Sequence, residues 1–130
     1  MTTGPDPGPD DPVGLLLSRD LIFTSKVTGT ARALGRRVLV AGDVAAAATL
    51  LEQGRPRVVF VDLSAGDLVR RDALAAFRQQ VPGTPFVAFG SHVDTAGLAA
   101  AAAAGCDPVL PRSRFTAELP GLIRRYLGGA

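Results

Sequence analysis

The chain has 130 residues, 47% of them hydrophobic and 20% charged, with no Trp, which supplies one folded core and argues against disorder. One cysteine (Cys106) and one histidine (His92) exclude an internal disulfide, a cysteine-built zinc site and a multi-histidine metal site. The net charge is +2, but 13 of the 14 basic residues are arginines scattered in pairs without interleaved aromatics, a pattern that argues against nucleic-acid binding.

Residues 1–12, MTTGPDPGPDDP, alternate Pro, Gly and Asp and predict a flexible tail. They have neither the basic region nor the apolar stretch of a secretory signal. From Val13 onward, short continuous apolar runs alternate with helical periods. The runs are Val13–Leu17, Arg37–Ala41, Val58–Val61, Pro85–Phe89 and Pro108–Leu110. Continuous rather than alternating hydrophobicity is what a strand buried on both faces of a parallel sheet shows.

The first helix is predicted from Phe23, Val27, Ala31 and Leu34, with Gly35 as its stop. Asp43 caps a second helix carrying Val44, Ala47, Ala48 and Leu51. Leu74, Phe77 and Val81 mark a third, closed by Pro82 and Gly83. Asp94 caps an alanine-rich fourth that ends at Gly105. Thr116 opens a fifth, with Leu119, Leu122, Ile123, Tyr126 and Leu127 on one face. Five such units predict a doubly wound α/β fold in strand order 2-1-3-4-5, a single domain over residues 13–127 with a short tail at 128–130. In such a sheet the site belongs at the carboxyl ends of the strands.

Of the segments there, only Asp62 is a carboxylate leaving a central apolar strand, in Val58-Val59-Phe60-Val61-Asp62-Leu63. A charge so close to a buried strand must be solvated or paired. A plain turn-capping role is its simplest reading.

The order of these units resembles the CheY-like receiver domains of bacterial response regulators. The resemblance spans residues 13–127 and rests on Arg57-Val58-Val59-Phe60-Val61-Asp62-Leu63, Gly83-Thr84-Pro85-Phe86-Val87-Ala88-Phe89 and Ala103-Ala104-Gly105-Cys106. It implies that Asp62 stands at the family's phosphoacceptor position. The remaining matched positions depart from the pattern. Where receivers carry an acidic pair for Mg²⁺, this chain has Ser18 and Arg19, with Asp20 one place later. The position of the phosphoryl-binding hydroxyl is Gly90, with Ser91 next to it. Arg112 matches the lysine, and Arg is not a neutral exchange for Lys. Ser113 replaces the following proline, Pro111 precedes Arg112 instead, and Val109 takes the aromatic switch position.

These departures predict a pseudo-receiver in which Arg19, and also Arg112, pairs with Asp62 in place of a metal. The opposing expectation is that both arginines point to solvent. No metal or other cofactor is expected. Three further candidates are weaker. His92 reads as an ordinary loop histidine and Cys106 as a buried, inert thiol. The alanine-rich fourth helix, beside Arg124, Arg125 and Tyr126, offers a docking face with the fifth strand and fifth helix.

The function expected is that of a stand-alone cytoplasmic signalling domain without enzyme activity. It would act on another signalling protein or on a second copy through the helix 4–strand 5–helix 5 face, with no membrane partner. One alternative is an active phosphorelay receiver, phosphorylated on Asp62 by a histidine kinase, with Asp20, Ser64 or Asp67 recruited around Mg²⁺. A distant one is a flavodoxin-like cofactor binder, from the hydroxyl-rich stretch Ser25-Lys26-Val27-Thr28-Gly29-Thr30.

Overall fold

Five apolar runs become five parallel strands in the computed structural model, in which residues 12–128 are described. They are β1 (Val13–Leu17), β2 (Arg37–Ala41), β3 (Val58–Asp62), β4 (Phe86–Gly90) and β5 (Val109–Pro111), in the order β2-β1-β3-β4-β5. The helices are α1 (Leu21–Ala33), α2 (Val44–Gln53), α3 (Arg71–Gln80), α4 (Thr95–Ala103) and α5 (Arg112–Leu127). A short 3₁₀ turn, Gly66–Val69, precedes α3. The tails expected at the two ends lie largely outside the described residues.

Alternation along each strand builds two cores. Leu15, Leu17, Val59, Val61, Phe86 and Ala88 face α2, α3 and α4 on one side of the sheet. Leu16, Val58, Phe60, Val87 and Phe89 face α1 and α5 on the other. Each large side chain removed from water contributes about 1.5–3 kcal/mol, so both faces hold the sheet.

Three helix starts follow the capping rules. Asp20, Asp43 and Asp94 accept the N–H of Phe23, Ala46 and Gly97 respectively, at 3.0, 2.7 and 3.0 Å. Gly35 ends the α1 turn in the left-handed region at φ 73°.

The boundaries differ from the sequence reading at the site. β3 and β4 each run one residue further, so Asp62 and Gly90 lie inside strands. β5 is shifted by one residue toward Pro111, and α5 begins at Arg112 rather than Thr116. The earlier start has a packing cause. Phe115 is fully buried and stacks on Phe89 with centroids 4.1 Å apart, which requires the turn before Thr116 to be helical already. That same turn aims Arg112 across the top of the sheet.

Candidate functional site

The site gathers around the end of β3. Asp62 is fully buried, in a strand flanked by β1 and β4. Its two carboxylate oxygens are divided between neighbours. Ser18 Oγ, from the end of β1, donates to Oδ2 at 2.7 Å. Ser64 donates twice to Oδ1, through its backbone N–H at 3.0 Å and its hydroxyl at 2.6 Å. Arg112 Nη2 donates to the same oxygen at 3.0 Å.

The hydroxyl protons are fixed by what else each oxygen does. Ser18 Oγ accepts the N–H of Asp20 at 3.2 Å, and Ser64 Oγ accepts Arg112 Nη2 at 3.1 Å. Each hydroxyl therefore spends its single proton on Asp62. All four contacts on the carboxylate come from donors, the arrangement an ionised buried acid requires.

Arg112 is held from several sides. Its guanidinium carbon lies 5.0 Å from the Phe23 ring centroid and 5.6 Å from that of Phe89. Rings and cation attract, and the planar group is kept in one orientation. Asp20 Oδ2 is 3.9 Å from Nη1, a second and longer ion pair. Lysine offers no flat face for two rings and no second fixed donor, so the arginine here does more than keep a charge.

Arg19 does not pair with Asp62, contrary to the expectation from its position. Its Nε donates to the carbonyl of Gly42 at 2.8 Å and its Nη2 lies 2.7 Å from Asp67 Oδ1. The reason is geometric. Ser18, the residue just after β1, faces inward and takes the inner place beside Asp62, so the next residue points out over the loops. Arg19 thus ties the loop after β2 to the 3₁₀ turn after β3. Its hydrogen bond and charge hold the exposed Asp67 carboxyl below the ordinary value of 3.8. Nor do the arginines point freely to solvent.

Gly90 leaves room that Leu63 uses. A Cβ at Gly90 would come within 3.2 Å of Leu63 Cβ and Cδ1. The Ser91 hydroxyl accepts the N–H of Val93 at 3.4 Å, inside its own loop, and contributes no contact to Asp62. His92 is exposed in that loop. Val109 is half-buried in β5, and Ser113 is exposed on the first turn of α5. Cys106 is buried away from the site, and burial pushes its thiol up.

A hard divalent cation needs several oxygen ligands, usually carboxylates. The residues present do not fit that need. Asp62 already accepts four donors, Ser18 offers only a neutral hydroxyl whose oxygen accepts the Asp20 N–H, Asp20 caps α1, and Asp67 is held by Arg19. Among the described residues, no group of three or more His, Cys, Asp or Glu side chains is placed to hold a metal. Asp20, Ser64 and Asp67, the residues expected to be recruited around Mg²⁺ in the alternative, are each engaged with Phe23, Asp62 and Arg19 respectively.

The hydroxyl-rich stretch Ser25–Thr30 lies inside α1. Thr28 Oγ1 donates to Thr24 O at 2.9 Å and Thr30 Oγ1 to Lys26 O at 2.8 Å. These hydroxyls bond back to their own helix and form no phosphate loop after β1.

Two ring contributors are not read from the sequence, and Ser64, expected there only as a metal recruit, proves to be a hydrogen-bond donor to Asp62. Phe23 and Phe89 sit on different elements and only the fold brings both to Arg112. Ser64 carried a readable signal, since an Asp followed two places later by Ser is the pattern of a local turn closed by the acid.

The five parallel strands in order 2-1-3-4-5, with an acid at the end of β3, decide the architecture. The fold is that of the CheY-like receiver domain. A response regulator from Thermotoga maritima superposes with a TM-score of 0.75 at 18% identity, over 92% of this chain and 99% of its own. A CheY-like receiver domain protein from Methanospirillum hungatei gives 0.77 at 14% identity, over 91% and 94%. The chemotaxis response regulator CheY4 of Vibrio cholerae gives 0.75 at 18% identity, over 90% and 99%. No family model matches the sequence, and no curated protein does. The receiver fold is therefore carried by a sequence only 14% to 18% identical to these structures. Among the described residues, no helix is long and apolar enough to cross a membrane.

Proposed function

We propose that this chain is a receiver-type signalling domain whose Asp62 is neutralised from within by Arg112, and which works without conventional Mg²⁺-dependent phosphorylation. The observation that supports this reading most is the placement of Arg112, bonded to Asp62 Oδ1 while seated on Phe23 and Phe89. A buried carboxylate with a fixed cation has its charge balanced before any metal arrives. Its output, on this reading, is protein–protein contact in the cytoplasm rather than catalysis. The α4–β5–α5 face is the surface we assign to that contact, where α4 buries only Ala101 and leaves several alanines exposed.

The test is a titration with Mg²⁺ followed by backbone amide spectra. The reading expects the amides of Ser18, Asp62 and Ser64 to stay in place. Saturable movement of those amides would support the active phosphorelay alternative instead.

A further inference from the structure

Several arginines that look scattered along the sequence, Arg36, Arg37, Arg55, Arg57, Arg124 and Arg125, are collected by the parallel sheet at one end. All strands begin at the edge opposite Asp62, and the helices run back to finish there. Arg37 opens β2 opposite Val13, and Arg57 stands just before β3 with its N–H on Val13 O at 2.8 Å. Arg55 donates to Pro82 O. Arg36 lies beside Gly128, at the end of α5, whose last turn carries Arg124 and Arg125. The acids at this end, among the described residues, are Glu52 and Asp107. Arg37 and Arg57 have no acidic partner among the described residues.

A cleft of about 400 Å³ opens beside Arg37, Arg55 and Arg57. Its lining joins the leucines Leu39, Leu50 and Leu51 with the arginines Arg37, Arg55 and Arg57. Arg37 and Arg57, without an acidic partner among the described residues, stand beside these leucines, an arrangement that suits a ligand with carboxylates flanking an apolar group.

We propose that this cleft binds an acidic peptide segment of a partner protein, its carboxylates meeting Arg37 and Arg57 and an apolar side chain entering over Leu39 and Leu50. This goes beyond the reading of the Asp62 site and concerns the opposite end of the sheet. Charge complementarity and the leucine side chains in the lining favour a peptide over nucleic acid, because no aromatic ring lines the cleft to stack a base. The space matches one or two side chains.

The probe is a short fluorescein-labelled peptide alternating Glu and Leu, followed by anisotropy on the full chain. The expected result is saturable, salt-weakened binding that falls by about tenfold or more in the Arg37→Glu/Arg57→Glu variant. Both side chains are exposed, so that variant keeps the fold, and its amide spectrum checks this. Accompanying amide shifts at Leu39 and Leu50 support the cleft. Absence of binding, or binding untouched by the double substitution, overturns the proposal. So does a short DNA duplex that displaces the peptide more strongly than unlabelled peptide does. Binding that appears only after Asp6→Asn, Asp10→Asn and Asp11→Asn together would give the cleft to the chain's own acidic residues, and also overturns it.

Discussion

Arg112 Nη2 lies 3.0 Å from Asp62 Oδ1, so the first residue of α5 supplies the positive charge for a fully buried carboxylate on β3, 50 residues away in sequence. Asp62 supplies the charge that keeps Arg112 over Phe23 and Phe89. The pair links the last helix to the centre of the sheet. Breaking it strands one charge in a place where water reaches poorly.

Removing the cation tests that link by stability. Arg112→Ala is expected to lower unfolding free energy by about 2–3 kcal/mol, because Asp62 keeps three neutral donors and loses its counter-charge. Arg112→Lys keeps the charge and loses the ring contacts, and falls between. Urea denaturation followed by circular dichroism checks the order. Equal stability of all three proteins would show that the pair contributes nothing to the fold.

A double-mutant cycle isolates the pair itself. Asp62→Asn and Arg112→Gln are each destabilising, and the double variant is expected to lose less than their sum, by about 1–2 kcal/mol. Simple additivity would mean that the two side chains are neighbours without coupling.

The five-unit order, the two-faced burial and the position of Asp62 were legible because they depend on local apolar runs and their spacing. The partner of Asp62 was legible only in part. Sequence places Arg19 and Arg112 both at strand ends, but which of two adjacent residues faces inward depends on where β1 stops. Ser18, just after it, faces in, and Arg19 is turned out to Asp67. Phe23 and Phe89 were unreadable as ring partners, since their meeting requires α1 and β4 to be packed first. The early start of α5 was hidden because Pro111 and Arg112 give no N-terminal cap signal, while the buried Phe115 that demands it shows only in three dimensions.

Arg19 carries a separate prediction in acid. Its contact holds Asp67 below 3.8 in the folded chain. A carboxyl lowered on folding contributes stability above its unfolded value and loses it as the pH falls through the folded value. Arg19→Ala should therefore move the Asp67 titration upward, toward 3.8, as read by carboxyl carbon NMR. High salt should produce part of the same change, since both side chains are exposed. An Asp67 curve identical in the two proteins would contradict the contact.

Gly90 and Leu63 exclude each other's growth. Gly90→Thr adds a branched side chain where Leu63 already stands, and an expected cost of about 1–3 kcal/mol follows from overpacking. Leu63→Ala in the same chain should recover part of it. A thermal melt of the three variants decides. If Gly90→Thr alone is as stable as the parent, the space beside β4 is not set by Leu63.

The most direct measurement is intact mass after incubation with acetyl phosphate and Mg²⁺, with Asp62→Asn run beside the parent chain. Internal neutralisation of Asp62 by Arg112 predicts that the folded parent keeps its mass. A phosphoryl adduct on the parent that is absent from Asp62→Asn would contradict the account and make Asp62 a working phosphoacceptor.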